Sequence, residues 1–357
     1  KMVVENPGDE EWIHYMSHEL EGLTEAEIEK YRDGSDPWKY PNTDWFGEVF
    51  KPSTPQSKAD FSLRGGTESI KYFISAGYKY QDAIYKNSSA DYSQVNFRSN
   101  IDGKITKNIQ LSVDLAGRQE TRNFAGDPFS YLINRSKPMF IAYYPGKKPA
   151  TGYQAGQNPV VTSSDLLGYD KRITYYFESN AKLLITIPWV KGLCLTGNLA
   201  FDKDIYNAKL WRTPYILYAW DGSTYDSNNL PVVTGAKDGP YATPELTQNL
   251  SDGQAVTLNG LVNYDFNIGK DHTFKILAGI ERISAAAMSI EAFRRGFIST
   301  PIDQLYAGAD EDKDNSGSAD QSARFNYFGR INYDFLQKYL LEFVWRYDGS
   351  YIFPESG

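Results

Sequence analysis

One cysteine, Cys194, and three histidines are the only thiol and imidazole groups in 357 residues. A single thiol excludes an intrachain disulfide framework and a cysteine-cluster metal site. His14 and His18 stand four apart on a stretch that reads as helix, but no third ligand is evident, and His272 falls in a short turn. Long hydrophobic runs are missing as well. The longest apolar stretch lies around Leu183 to Val190, far short of the roughly 18 residues that a membrane-spanning helix needs. Basic excess is also absent: a net charge of -8 and a pI near 5.1 argue against a nucleic-acid or anionic-lipid surface. No nucleophile motif, phosphate loop or paired-carboxylate signature stands out, and no cofactor is expected. Lys1 is followed by Met-Val-Val-Glu with no signal-peptide pattern, so the start reads as internal or processed, and the end looks equally arbitrary.

What is abundant is tyrosine, 27 residues beside 19 Phe and 7 Trp, and it falls in a pattern of period two. From Asp60 onward, Ile70, Tyr72, Ile74, Ala76, Tyr78 and Tyr80 oppose Lys71, Phe73, Ser75, Gly77, Lys79 and Gln81. Val95, Phe97, Ile101 and Ile105 oppose Asn96, Arg98, Asn100, Asp102 and Lys104; Ile109, Leu111, Val113 and Leu115 oppose Gln110, Ser112, Asp114 and Arg118. Similar alternation marks Ile173 to Ile187, Leu193 to Phe201, Val256 to Ile268, Phe274 to Ile280, Phe325 to Tyr333 and Tyr339 to Tyr347. With Phe61 and Leu63, about ten strands result, many near the 9 to 11 residues that cross a bilayer obliquely. A mean hydropathy of -0.51 is compatible with this, because a barrel strand shows lipid only every second side chain.

The connections alternate in length. Short links at Gly65 to Ser69, Thr106 to Asn108, Pro188 to Lys191, Gly269 to Asp271 and Phe335 to Gln337 alternate with long ones at Asp82 to Tyr92, Glu120 to Asp170, Asp204 to Gln254 and Ser284 to Ala323. One rim with tight turns and one with long loops is the habit of outer-membrane barrels. A soluble β-sandwich also alternates, but its strands are shorter and its long loops are not confined to every second connection. Before Asp60 the character changes. Asp9 to Glu21 reads as helix, Thr24 and Glu27 fit a capping box opening a second helix that ends near Gly34, and Pro37, Pro41, Pro52 and Pro55 punctuate an irregular stretch after it.

Several strings carry a family resemblance. Lys30-Tyr31-Arg32-Asp33-Gly34-Ser35-Asp36-Pro37 and Tyr40-Pro41-Asn42-Thr43-Asp44-Trp45 resemble the segment ahead of an early barrel strand in SusC/RagA-type TonB-dependent transporters of Bacteroidetes. Leu63-Arg64-Gly65-Gly66-Thr67-Glu68 with Lys71-Tyr72-Phe73 looks like that family's early hairpin. Tyr327-Phe328-Gly329-Arg330-Ile331-Asn332-Tyr333-Asp334, Lys338-Tyr339-Leu340-Leu341-Glu342 and Arg346-Tyr347-Asp348-Gly349-Ser350 look like its mid-barrel signature. One departure is Ser350-Tyr351-Ile352-Phe353-Pro354 where Ser-Ser-Arg-Phe-Pro is the family habit, which bears on local loop packing. The resemblance implies an all-β fold: an antiparallel transmembrane β-barrel of about 22 strands with short periplasmic turns and long extracellular loops, its lumen plugged by an N-terminal domain. Residues 1–58 then read as a loop excursion with short helices inside the barrel domain, and 59–357 as barrel strands and loops. Plug and remaining strands are not recognisable in this chain. The implied activity is import of glycan oligomers or peptides across a Gram-negative outer membrane, energised by the TonB complex and shared with a SusD-like surface lipoprotein. A dimer of transporter–lipoprotein pairs is within the same pattern.

Under that reading Asn96, Arg98, Asn100, Asp102, Gln110 and Asp114 face the lumen, lining the passage or holding the plug. Outward Ile, Leu, Val and Phe meet outer-membrane lipid, and Trp189, at a short turn, is an interfacial anchor. Trp211, Tyr215, Tyr218, Trp220 and Tyr225 in the long link, with Tyr143, Tyr144 and Tyr153 in the preceding one, are candidates for contact with an oligosaccharide or peptide substrate or with the lipoprotein; the alternative for each is packing within the loop. Asp310, Asp312 and Asp314 resemble the opening of a calcium loop, but Asn315 stands where Gly is needed and Gln321 where Glu is needed, which favours a solvated acidic tip. An adhesin or structural barrel, and a barrel enzyme with its site in the long loops, are the alternative functions.

Overall fold

In the computed structural model, residues 24–126, 136–151 and 157–352 are described. The expected helix at Asp9 to Glu21, with His14 and His18, and Tyr153, Phe353 and Pro354 lie outside them. Helix α1, Glu25–Asp33, opens on the expected capping box: the Thr24 N–H donates to Glu27 Oε2 at 2.9 Å and the Glu27 N–H to Thr24 Oγ1 at 3.4 Å. It ends at Gly34, whose φ of 66° is the left-handed cap that glycine adopts freely. A second short helix, α2, is Trp45–Val49.

Ten strands then form one antiparallel sheet. They are β1 (Gln56–Gly66), β2 (Ile70–Asp82), β3 (Asp91–Lys104), β4 (Ile109–Phe124), β7 (Gly168–Thr186), β8 (Leu193–Arg212), β11 (Glu245–Ile268), β12 (His272–Arg295), β13 (Asp314–Phe335) and β14 (Tyr339–Ser350). Each pairs with the next in that order. Two small hairpins stand apart in the long loops: β5 (Tyr143–Tyr144) with β6 (Lys148–Pro149), and β9 (Ile216–Tyr225) with β10 (Pro231–Asp238). No described helix is long and apolar enough to cross a membrane.

The two faces of this sheet differ in the way a barrel wall requires. One register row, Tyr72, Ile101, Val113, Ala181, Leu199 and Leu258, runs across six strands and stays apolar throughout. Its large side chains are exposed although nothing polar accompanies them, which water alone would not favour. The row also measures strand tilt. Tyr72 lies two residues from its short turn and Leu258 ten, a climb of about eight residues, ~26 Å, over five strand spacings of ~4.8 Å, so the strands lean by roughly 45° from the rim's perpendicular. At that tilt the outward face turns polar about ten residues beyond the short turns, at Gln119, Lys203 and Arg282, a band of roughly 25 Å that matches hydrocarbon thickness in such barrels.

Aromatics collect at the short-turn end of the same face. Tyr264 stacks on Phe266 at 4.8 Å, Phe266 on Phe274 at 5.1 Å, Phe274 meets Tyr333 at 4.8 Å, and His272 meets Phe335 at 4.9 Å. Trp189, in the turn between β7 and β8, is 81% exposed. Rings of this kind suit the headgroup level, where an apolar body and a polar tip are both accommodated. The turns themselves need special backbone: Gly192 has φ 87°, and a Cβ there would lie 1.8 Å from the Asp265 carbonyl oxygen of β11. On the outward face Phe97 lies across Gly117 of the neighbouring strand, where a Cβ would meet the ring at 2.1 Å.

Strand lengths correct the sequence expectation. β11 and β12 are 24 residues each and β13 is 22, about twice a bilayer crossing, so the long links shorten: β4 continues to Phe124, β8 to Arg212 and β12 to Arg295. The added halves stand beyond the hydrocarbon band. Substituting Val262 of β11, mid-band and outward, by Arg is expected to cost about 2–4 kcal/mol of unfolding free energy in denaturant titration of the vesicle-reconstituted protein, and Asn263→Arg on the opposite face well under half of that.

Candidate functional site

The opposite face is concave and mostly polar. Lys182, Asn198, Asn259, Asp265, Lys275 and Arg330, with their neighbours on the same face, line a hollow of about 600 Å³ spanning β7 to β13. A second hollow of about 330 Å³, between β3 and β8, is lined by Arg98, Asn100, Asp114, Glu178, Asn180 and Asp202. The expected inward residues share this face in one register: Arg98 stands opposite Ala116, Asn100 opposite Asp114, Asp102 opposite Ser112 and Gln110 opposite Lys104, and Asn96 opposite Arg118. They brace one another across strands. The Asn100 amide donates to Asp114, whose other oxygen accepts from the Asn180 amide at 3.4 Å, and the Ser112 hydroxyl donates to Asp102 at 2.5 Å. Cross-strand polar pairs each add a few tenths to about 1 kcal/mol, and together they hold the wall's polar side chains in set positions.

Beyond the band, three long connections and the segment before β1 pack into a crown. Its core joins Trp45, Val49, Ala142, Val160, Val161, Leu167, Tyr215 and Leu217, from four separate stretches of chain. The fully buried Asn158 organises it: its Nδ2 donates to the carbonyls of Ala142 and Ala150, both at 2.9 Å, and its Oδ1 accepts from the Val160 N–H at 3.1 Å. Trp45 Nε1 donates to the Lys137 carbonyl at 2.8 Å. Ser89, between β2 and β3, donates its N–H and hydroxyl to Asp165. Backbone groups that a loop leaves unpaired are thus satisfied by side chains of other loops.

The aromatic candidates divide. Tyr215 is buried in the crown core, and Tyr143 packs against it with its hydroxyl pushed upward in pKa by burial and by Glu48. Burial also raises Tyr144, which bonds to the Trp220 backbone. Tyr218 is bridged by its carbonyl to the Thr151 N–H at 2.9 Å and lies under Lys148 at 5.4 Å. Trp220 meets Tyr225 edge-on at 5.1 Å on the β9–β10 hairpin, which projects with an exposed tip. Trp211 is a correction: it belongs to β8, not to a loop, and points outward, where it is 4% exposed against Phe297 and Leu246 beneath the β12–β13 connection. It therefore faces away from the concave wall.

The acidic stretch is also resolved by its partners. Arg294 pairs with Asp310 at 3.2 Å, Arg295 with Asp312 at 2.6 Å, and Asp314 opens β13. The three carboxylates are held on different partners, and among the described residues no group of three His, Cys, Asp or Glu side chains is placed to hold a metal. Sequence reasoning set Lys79 and Arg118 on the polar sides of their strands but missed the upper part of the concave wall, where Tyr92, Arg122, Phe124, Arg172 and Tyr176 face inward with them in the same register. The parity that placed Asn96 and Asp114 was the available signal, continued a few residues further.

No family model matches the chain. Curated relatives do. It is 24% identical over 330 residues to TonB-dependent receptor P26 of Formosa agariphila, covering 90% of this chain and 30% of that protein. It is 22% identical over 346 residues to TonB-dependent receptor SusC of Bacteroides thetaiotaomicron, covering 88% and 31%. Over most of its length the chain is thus similar to SusC/RagA-type TonB-dependent receptors. It spans about 30% of the length of the curated relatives it matches. Among solved structures, its fold superposes on the RagAB peptide importer in the closed-closed state with a TM-score of 0.70 at 21% identity, covering 88% of this chain and 34% of that one. A further structure of the RagAB peptide transporter gives 0.70 at 20% identity, covering 95% and 38%. The antiparallel transmembrane barrel segment is thereby the fold of this chain.

Two outcomes are expected of this geometry. Trp211→Ala should cost about 3–5 kcal/mol where the cavity cannot collapse, and open the 296–313 connection to limited proteolysis while the crown stays protected. On the β9–β10 hairpin, the Thr224 hydroxyl and N–H and the Ser223 N–H lower the Asp221 carboxyl to about 2. A depressed folded value means its support is complete above the unfolded value near 3.9 and is lost as pH falls toward 2. Protection of the Ser223 and Thr224 amides relative to their intrinsic exchange at each pH is expected to fall over that window, and in Asp221→Asn to show no such titration.

Proposed function

We propose that this chain forms wall and loop crown of an outer-membrane importer for glycan oligomers or peptides, energised by the TonB complex and working with a SusD-like surface lipoprotein. The observation that carries the reading is the split between an apolar convex face with a band of hydrocarbon thickness and a polar concave face, on a chain related to TonB-dependent receptors. Asn96, Arg98, Asn100, Asp102, Gln110 and Asp114 line the passage or hold the plug in this scheme. Tyr218, Trp220 and Tyr225 on the projecting hairpin are its contact candidates for substrate or lipoprotein. The described segment ahead of β1, residues 24–55, belongs to the barrel domain in this scheme as a loop excursion with short helices. Among the described residues β1 and β14 each pair on one side only, and in hydrocarbon an unpaired strand edge needs a neighbour, so the remaining wall of about 22 strands and the plug come from elsewhere in the receptor. A dimer of receptor–lipoprotein pairs is the assembly proposed with it.

The test uses the full-length receptor in its native host. The proposal expects it in the outer-membrane fraction, extracted only by detergent, co-purifying with a lipoprotein, and supporting ligand uptake that disappears when TonB is deleted. Recovery as a soluble monomer without detergent contradicts it.

A further inference from the structure

Above the Arg98 hollow, the concave wall carries cations laid on aromatic faces. The Arg118 guanidinium sits 4.3 Å over the Tyr176 ring, Arg172 lies 4.6 Å over Phe124, and Arg122 and the Lys79 ammonium approach Tyr92 at 5.4 and 5.5 Å. These groups lie on β2, β3, β4 and β7, all on the inward face. Arg122 and Arg172 stand directly opposite one another in the β4–β7 register. Like charges so placed repel, and such a pair is retained at a cost in stability.

The carboxylates nearby fall short of the cations. Glu120 takes both Arg118 and Arg122 at 3.1 Å, and Asp170 takes Arg172 at 2.7 Å. Two carboxylates thus hold three of the four stacked cations; the next inward carboxylates, Glu178 and Asp204, stand opposite Ala116 and Tyr176. The three arginine side chains remain about half exposed, 44, 53 and 45%, with Nε and Nη2 of Arg172 both on Asp170. A ring beneath a guanidinium fixes its plane, and its free edge then presents paired N–H donors that fit an oxyanion bidentately.

The geometry points to an oligosaccharide bearing carboxylate or sulfate groups as the ligand of this patch, an inference that rests on the import reading and names its substrate class. A peptide that binds as an added strand needs an open sheet edge, and here β3, β4 and β7 are paired on both sides, so the wall offers side chains only. Arg118 and Arg122, two residues either side of Glu120 on one strand, both reach its carboxylate at 3.1 Å, so their guanidinium groups converge and offer two oxyanion contacts side by side on the wall.

Titration calorimetry on the intact detergent-purified receptor decides the matter, with four ligands: an oligogalacturonate, a sulfated oligosaccharide, a neutral malto-oligosaccharide and an oligoglutamate peptide. Expected is binding of an anionic oligosaccharide that weakens with salt and falls at least tenfold in R122Q/R172Q, while R122K loses less because the charge persists without the bidentate fork. Should the double variant not fold, R172Q alone is expected to lose several-fold. The inference is overturned if neither anionic oligosaccharide binds, if the variants bind as the native receptor does, or if only the peptide shows the arginine-dependent binding. Failure of the import reading is separate: a receptor that binds as expected but supports no TonB-dependent uptake of any ligand sinks import and leaves the patch standing.

Discussion

A backbone amide inside hydrocarbon has no water to bond, and everything in this chain depends on meeting that requirement across ten strands. From β1 to β14 the ladder is continuous, each strand pairing with the next over nearly its whole length. Once the ladder is fixed, side chains have only two places to go. Alternation then sorts Leu199 and Leu258 to the convex side and Asn198 and Asn259 to the concave one, and a slip of one residue in any pair would exchange them. The tilt of roughly 45° is a consequence of the same register, since each short turn sets its strand a little further along its neighbour.

Beyond the hydrocarbon the constraint relaxes, and the chain uses the freedom differently. Strands continue as paired ribbons with small and polar side chains, as in Ser284 to Ala287 opposite Asp320 to Ala323. The long connections no longer need a ladder, so they satisfy their backbone through side chains such as Asn158 and Asp165 and gather one apolar core of their own. The arginines stacked on Tyr92, Phe124 and Tyr176 sit where crown and wall meet.

Much of this is legible in the sequence because hydrocarbon imposes a strict rule on it. Ile70 to Tyr80 and Leu193 to Phe201 alternate cleanly, and the tight links at Gly269 to Asp271 and Thr106 to Asn108 fall between strands as expected. Legibility fades where lipid ends. Ala285-Ala286-Ala287 and Ser316 to Asp320 carry no apolar period, since both faces there meet water or protein, yet hydrogen bonding to partner strands keeps them extended. For the same reason Trp211 reads as a loop aromatic: Lys203, Asn207 and Lys209 interrupt the outward apolar set before it, and only the register with Tyr169 and Leu246 reveals its side. Tyr215 is undecidable from spacing, because burial in the crown depends on Trp45 and Val160, far away in the chain.

The central claim is that lipid wets every second side chain of these strands. Spin labels placed one at a time from Thr273 to Glu281 of β12 in the reconstituted receptor, with Cys194 replaced, measure it through accessibility to dissolved oxygen and to a water-soluble nickel complex. Oxygen access is expected to peak at Phe274, Ile276, Ala278 and Ile280, with nickel access or burial against protein at Lys275, Leu277, Gly279 and Glu281. A profile without this two-residue period, or with both sets shielded from oxygen, would contradict the account.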